Sequence, residues 1–218
     1  RKLAHEIKNP LTPIQLTIDR LKTKYPDKLK IEEKEDFTKS LKIIGKQIKQ
    51  IENLVNEFSD FARMPKPILK NNNLVILIKE NINLINELDN SISINFKTDS
   101  DSVILNSDNE QLSRVFFNMI KNSIESIQEK KANNDDFKGK IDIIINNNLS
   151  NISFVIIDNG LGFGANSIKD VLNPYFTTKK KGTGLGLAIV NKIINDHNGT
   201  IDFISIEVGA KIQIKFIK

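Results

Sequence analysis

His5 stands beside Glu6, with Asn9 four residues on and prolines at positions 10 and 13. A neutral imidazole nitrogen can act as a nucleophile. An adjacent carboxylate can accept a hydrogen bond from the other ring nitrogen, fix the tautomer and take up the proton released when the new bond forms. Taken alone, such a pair is usually a solvated polar couple. Three blocks far downstream change that weighting: Asn118-x-x-x-Asn122, Asp158-Asn-Gly160-Leu-Gly162 and Gly182-Thr183-Gly184-Leu185-Gly186. Amide oxygens such as those of Asn118 and Asn122 suit a hard cation like Mg²⁺, which takes oxygen ligands and keeps several waters. Asp158 closes an apolar run and precedes two glycines, which permit a tight turn that a ligand can approach closely. Glycines at a helix start can aim backbone N–H groups at phosphate oxygens. The last block lacks the preceding strand of a dinucleotide fingerprint and the Gly-Lys-Ser/Thr of a P-loop.

The elements that must carry these residues follow from hydrophobic periodicity. Leu3, Ile7, Leu11, Ile14, Ile18 and Leu21 form one helical stripe, and Tyr25-Pro-Asp27 ends it. Phe37, Leu41, Ile44, Ile48, Ile51, Val55 and Phe58 recur at steps of four and three, the seam of a bundle. One antiparallel hairpin leaves such a seam half wet, so two hairpins paired as a dimeric four-helix bundle are the economical solution. Pro10 and Pro13 each remove a helical donor and favour a bend beside His5. Met64-Pro-Lys-Pro67 and Asn71-Asn-Asn73 read as a linker. The expected division is therefore residues 1–64 as a helical module, 65–73 as linker and 74–218 as a second domain.

Beyond the linker the pattern predicts a helix over 74–88, strands over 92–97 and 103–106, and a long helix over 109–130 with Asp108 as its N-cap. Strands over 140–146 and 152–157, a helix over 185–197 and a closing hairpin over 200–205 and 211–216 complete an α+β layer. On the long helix Gln111, Arg114, Asn118, Asn122 and Glu125 share a stripe open to a ligand, with Leu112, Phe116, Met119, Ile120, Ile124 and Ile127 roughly opposite. Residues 132–139 read as a polar loop. His197, before Asn198-Gly199, reads as a helix C-terminal cap where a cationic side chain is favoured, without a catalytic role.

In this order and over nearly the whole chain, the four blocks resemble the two-component sensor histidine kinases. His5-Glu-Ile-Lys-Asn-Pro-Leu-Thr-Pro-Ile-Gln15 is most similar to NtrY-type nitrogen-regulation kinases. The resemblance implies a dimerisation and phosphotransfer module followed by a Bergerat-type α/β sandwich that binds ATP. It implies that His5 is the phosphoacceptor, Glu6 its proton acceptor and Asn9 a residue for phosphatase activity. Asn122, with Asn118 as a second candidate, would ligate Mg²⁺, and Asp158 would accept a hydrogen bond from the adenine amine, which guanine lacks. Gly160, Gly162, Thr178, Lys181, Gly182, Thr183, Gly184, Leu185 and Gly186 would complete the ATP site. The partners implied are a second copy of the chain and a response regulator whose aspartate receives the phosphoryl group. Two departures stand out: Glu125 occupies a position where many relatives carry lysine, and the stretch before Gly182 has no arginine.

Two other readings compete. An ATPase switch of the gyrase, Hsp90 or MutL type would carry a water-activating glutamate four residues before the metal asparagine, but that position is Asn118. A degenerate binding scaffold is disfavoured by intact His5, Asn122, Asp158 and the three glycines at 182, 184 and 186.

Composition sets outer bounds. The chain has 218 residues, no cysteine and two histidines, which excludes disulfides, thiolate metal sites and a histidine-rich one. The net charge of +5 comes from dispersed lysines rather than a patch, against a nucleic-acid partner. No apolar run approaches the ~18 to 20 residues that span a bilayer, so no direct membrane contact is expected of this fragment. Because the chain opens with Arg1, barely a turn before His5, the expectation is a cytoplasmic portion of a longer protein anchored in the bacterial inner membrane.

Overall fold

The computed structural model describes residues 2–88, 91–132, 136–163, 173, 176–177 and 183–218, with residues 2–6, 31–32, 60 and 88 described by backbone alone. The chain divides into two compact units, Arg1–Met64 with Thr178–Leu185, and Pro65–Thr177 with Gly186–Lys218. Each is taken by itself below.

The first unit is a helical hairpin of α1 (Lys2–Lys24) and α2 (Ile31–Ala62), joined through a 3-10 turn at Pro26–Lys28. α1 continues through Pro10 and Pro13 as helix. Thr17 Oγ1 donates to the Pro13 carbonyl at 2.8 Å, and this side-chain donor stands close to where prolines have removed backbone ones. Ile18, Leu41 and Ile48 are buried together, with Leu11, Leu21 and Phe37 packed against them. Ile7 and Ile14 on α1 and Ile44 and Ile51 on α2 remain exposed, although Leu21 and Phe37 in the same heptad positions pack inward. An amphipathic helix thus spends half its seam on its own partner and presents the other half outward.

In the second unit β1 (Lys70–Asn73) and β3 (Ile104–Ser107) form a two-stranded antiparallel sheet. The stretch expected as linker therefore includes a strand. Its asparagines are used locally: Asn73 Oδ1 accepts from the N–H of Val75 and of Val103, and Asn72 Nδ2 donates to the Ser107 carbonyl at 2.6 Å. Polar composition hid the strand because its side chains bond rather than pack. A five-stranded sheet runs in the order β2 (Ser93–Thr98), β4 (Lys140–Asn147), β5 (Asn151–Asp158), β7 (Ala210–Ile217), β6 (Gly199–Ser205). β2 and β4 are parallel and the remaining neighbours antiparallel.

Helices α3 (Leu74–Leu88), α4 (Asn109–Lys131) and α5 (Gly186–Asp196) form the second layer. α4 lies on β4 and β5 and is packed by both other helices. Its Leu112, Val115, Phe116, Met119, Ile120 and Ile127 are fully buried, as are Ile141, Ile143 and Ile145 of β4. The Phe116 ring meets Phe154 of β5 at 4.7 Å between centroids. Each large side chain so buried stabilises the layer by roughly 1.5–3 kcal/mol before entropy is counted. Gln111, expected on the open stripe, is instead buried; its Nε2 donates to the Pro65 carbonyl at 3.1 Å.

Asp108 caps α4 as expected, Oδ1 accepting from Gln111 N–H at 3.1 Å. Its Oδ2 accepts from Ile68 N–H at 2.8 Å, and its own N–H donates to His197 Nε2 at 2.9 Å. His197 therefore sits where a cap belongs, before Asn198 at φ 56°, but it is a buried neutral ring rather than an exposed cation. Nε2 must accept from Asp108, which leaves the proton on Nδ1, 2.8 Å from the Ile193 carbonyl. Burial works to raise the Asp108 carboxyl, but backbone N–H donors from Ile68, Gln111 and Glu110 outweigh it and hold the group below its ordinary range. Such a lowered carboxyl adds stability above its unfolded pKa that fades as pH falls through the folded one. Replacing Asp108 by Ala should lower stability by roughly 1–2 kcal/mol at neutral pH, with a smaller deficit near pH 3, while Asp108→Asn retains most of the cap; urea midpoints at the two pH values measure both effects.

Candidate nucleotide site

α4 is the spine of the site in the second unit. Asn118 and Asn122, a turn apart, are half-buried on it. Asn118 Nδ2 donates to the Arg114 carbonyl at 2.8 Å, fixing the amide orientation. A Cβ placed on Gly186, the first residue of α5, would lie 3.7 Å from Asn118 Oδ1, so the start of α5 adjoins that amide. Glu125 follows on the same stripe, with Lys121 Nζ at 3.9 Å from its Oε1. Among the described residues no group of three or more His, Cys, Asp or Glu side chains could hold a metal. The amide oxygens of Asn118 and Asn122 would hold a cation here together with oxygens of its own ligand. That donor set fits Mg²⁺ bound alongside phosphates and poorly fits a metal caged by protein carboxylates.

Asp158 is the chemically unusual residue. It ends β5 and is only 4 % exposed. Its Oδ1 accepts from Gly160 N–H at 2.9 Å, and its Oδ2 accepts from Ser123 Oγ of α4 at 3.0 Å. Burial pushes its carboxyl up from the ordinary value, and the Gly160 N–H, the Ser123 hydroxyl, the Ala210 N–H and the charge of Lys130 offset only part of that push. A buried carboxyl that keeps acceptor capacity beyond these bonds can receive a further N–H donor.

The following turn is fastened from several sides. Leu161 N–H donates to Ser126 Oγ at 2.9 Å, and Lys130 Nζ donates to the carbonyls of Asn159 and Gly160 at 2.7 and 3.1 Å. A Cβ on Gly160 would come within 2.4 Å of Ser126 Oγ, which explains glycine there. Gly162 has φ +75°, and its missing Cβ leaves room for the Gly209 carbonyl. Gly209, at φ +86° in the β6–β7 turn, lies so close that a Cβ would be 1.9 Å from the Asp158 carbonyl oxygen. Two turns are thus nested through glycines. Ser123, Ser126, Lys130 and Gly209 were missed in the sequence; the first three recur at helical spacing on a stripe beside the asparagines, and that repetition was the available signal.

Thr178, Lys181 and Gly182 lie outside the described residues, as do Lys179 and Lys180. Gly184 has φ +71°, and Leu185 is fully buried. The Thr183 hydroxyl hydrogen-bonds to the Glu57 carboxylate of α2, in the unit to which residues 178–185 belong. His5 and Glu6 lie within α1 by backbone, their side chains outside the description, and Asn9 is exposed one turn later. Among the described residues no helix is long and apolar enough to cross a membrane.

Comparison with known proteins matches the two parts of the chain to two families. Residues 107–218 match the family of histidine kinase-, DNA gyrase B-, and HSP90-like ATPases, and residues 1–67 match the His Kinase A (phospho-acceptor) domain. The NtrY-like sensor histidine kinase of Rickettsia felis is 39% identical over 217 residues, which is 99% of this chain and 35% of that protein. Nitrogen regulation protein NtrY of Azorhizobium caulinodans is 36% identical over 93% of this chain and 26% of its own length. The chain thus spans less than half the length of the curated relatives it matches. Among solved structures, the catalytic domain of histidine kinase ThkA superposes with a TM-score of 0.61 at 28% identity, covering 69% of this chain and 95% of that one. The complex of ThkA with response regulator TrrA superposes at 0.70 and 25% identity, over the whole of this chain and 60% of that one.

The raised carboxyl has a sign that can be checked. A folded-state pKa above the unfolded one gives stability at acid pH that is lost as pH rises through the folded value. Asp158→Asn keeps an oxygen for Gly160 N–H and removes the buried charge, so at neutral pH its melting temperature should equal or exceed that of the unmodified protein. The advantage should shrink toward pH 4; a variant markedly less stable at pH 7.5 than at pH 4, relative to the parent, contradicts the assignment.

Proposed function

The chain belongs to the two-component sensor histidine kinases, and on that premise we propose that it uses Mg-ATP to phosphorylate His5 and passes the group to an aspartate of a response regulator. The observation that carries the ATP half of this reading is Asp158, a buried carboxylate at a strand end, beside a helix that carries Asn118 and Asn122. While ionised it offers acceptors on both oxygens. The exocyclic amine of adenine supplies a donor, whereas the carbonyl of guanine would meet it lone pair to lone pair. Gly160, Gly162, Gly184 and Gly186 give the close backbone approach that phosphates and sugar require, with Thr183, Leu185 and the residues 178, 181 and 182 completing the contact set. Asn122, with Asn118 beside it, would hold Mg²⁺, which would offset charge on the phosphates.

In the phosphoryl step the lone pair of a neutral His5 ring nitrogen attacks the γ-phosphorus in line. The new N–P bond forms as the bond to the ADP oxygen breaks, and ADP leaves with that electron pair. Glu6 accepts the proton of the other ring nitrogen. In the second transfer a regulator aspartate takes the phosphoryl group and the ring nitrogen is the leaving group. Asn9, on the same face as His5, is placed to orient water for hydrolysis of the phosphoaspartate. A gyrase-like ATPase switch would need a carboxylate at position 118, where the side chain is an amide bonded to the Arg114 carbonyl.

The outward half of the helical seam supports a homodimer. Ile14, Ile44 and Ile51 are 45 %, 46 % and 45 % exposed in the single chain, a row of β-branched side chains that a second hairpin would cover. Replacing Ile44 and Ile51 together by Lys should convert the protein to a monomer by analytical ultracentrifugation and leave the second unit's nucleotide affinity unchanged.

Incubation with γ-labelled ATP and Mg²⁺ tests the chemistry. Label should appear in an acid-labile, base-stable form, and His5→Gln should carry none. Label that persists in the variant would sink the assignment of His5. A labelled protein mixed with a receiver domain should lose its label to an aspartate in the same incubation.

A further inference from the structure

Ser123, Ser126 and Lys130 follow one another on α4 at steps of three and four, so they share one helical stripe. Each grips a different atom of the same four residues. Ser123 holds the Asp158 carboxylate, Ser126 takes the N–H of Leu161, and Lys130 takes the carbonyls between them, those of Asn159 and Gly160. Two consecutive carbonyls that converge on one point repel each other unless a cation lies between their oxygens. The Lys130 ammonium fills that place, and the ring of Phe137, with its centroid 4.6 Å from Nζ, covers another side of it. The outer side of the turn is fixed separately: Asn159 Oδ1 accepts from Lys140 N–H at 2.8 Å and Nδ2 donates to the Lys138 carbonyl at 2.9 Å.

We propose that Lys130 is a positioning residue for base recognition: by clamping the Asn159 and Gly160 carbonyls it holds the turn that aims Asp158, and thereby sets the preference for adenine over a base bearing a carbonyl at that position. The inference rests on the reading of Asp158 as the adenine acceptor. Geometry gives it a mechanism. Gly160 N–H is bonded to Asp158 Oδ1 and Gly160 C=O to Lys130, so rotation of that one residue on loss of the ammonium would redirect the carboxylate. The positive charge also favours the ionised form of Asp158 against burial, which keeps both of its oxygens as acceptors. The clamp's described bonds all go to residues 158–161, so its loss should act on the base and not on the phosphates.

The test compares ATP with inosine triphosphate, which carries a carbonyl where adenine has its amine, by displacement of a fluorescent ADP analogue from the whole chain with Mg²⁺. In Lys130→Met the ATP affinity should fall about tenfold, the loss of one charge-assisted contact's worth of positioning, while inosine triphosphate changes less than about twofold. Lys130→Arg should restore most of the discrimination, and Lys130→Gln, a milder change should the Met variant fold poorly, should lie between. Parallel loss of both nucleotides, or unchanged discrimination with only a lower melting temperature, overturns the proposal and leaves Lys130 as a structural tether. Asp158→Asn separates the two levels. If it abolishes discrimination while Lys130→Met preserves it, the Lys130 role alone is wrong; if it leaves ATP affinity intact, the Asp158 reading fails and the proposal falls with it.

Discussion

A buried carboxylate has to be kept in hydrogen bonds, and much of the second unit is arranged to do so. Asp158 could be placed at the end of β5 only because α4 brings Ser123 to one of its oxygens and the next turn folds Gly160 N–H back onto the other. That turn needs three further conditions: no side chain at Gly160, a left-handed Gly162, and a left-handed Gly209 pressed against the Asp158 carbonyl. Each is a local backbone demand that arises from one buried side chain. The cost of burying the charge is visible in the upward push on its carboxyl.

α4 is the element through which these demands meet. One stripe carries the two asparagines, and another packs into the sheet through Leu112, Phe116 and Met119 and continues along the helix into Ser123, Ser126 and Lys130. A helix with both stripes assigned has little freedom to shift along its axis. A small displacement would unseat Phe116 from Phe154 at one level and Ser123 from Asp158 at another. The shared support keeps Asn118, Asn122 and the turn after Asp158 at fixed spacing.

Periodicity made the two long helices, the α4 register and every strand of the large sheet legible from the sequence. Apolar residues at steps of two or three to four report directly on burial. The motifs pointed to Asn118, Asn122, Asp158 and the glycines because their types are chemically specific. Other features were hidden for physical reasons. β1 is all polar, Lys-Asn-Asn-Asn, and holds its place by side-chain hydrogen bonds that leave no hydrophobic signature. Gln111 looked like a surface residue because its stripe is polar, yet the returning backbone at Pro65 covers it. His197 was located correctly as a helix end but assigned the wrong charge, since its acceptor role depends on an N–H from a residue 89 positions earlier. Lys130 appeared as one more dispersed lysine; its partners are backbone carbonyls, which no sequence displays.

Asp108 accepts from the backbone of Ile68 with one carboxylate oxygen and from the first turn of α4 with the other. The Pro65 carbonyl is held by Gln111 one turn further along the same helix. A polypeptide tied at two points to a rigid rod has no slack between them. Residues 65–68 are therefore held against α4 at both of their ends, and the His197 ring braces the near end of that helix against the last turn of α5.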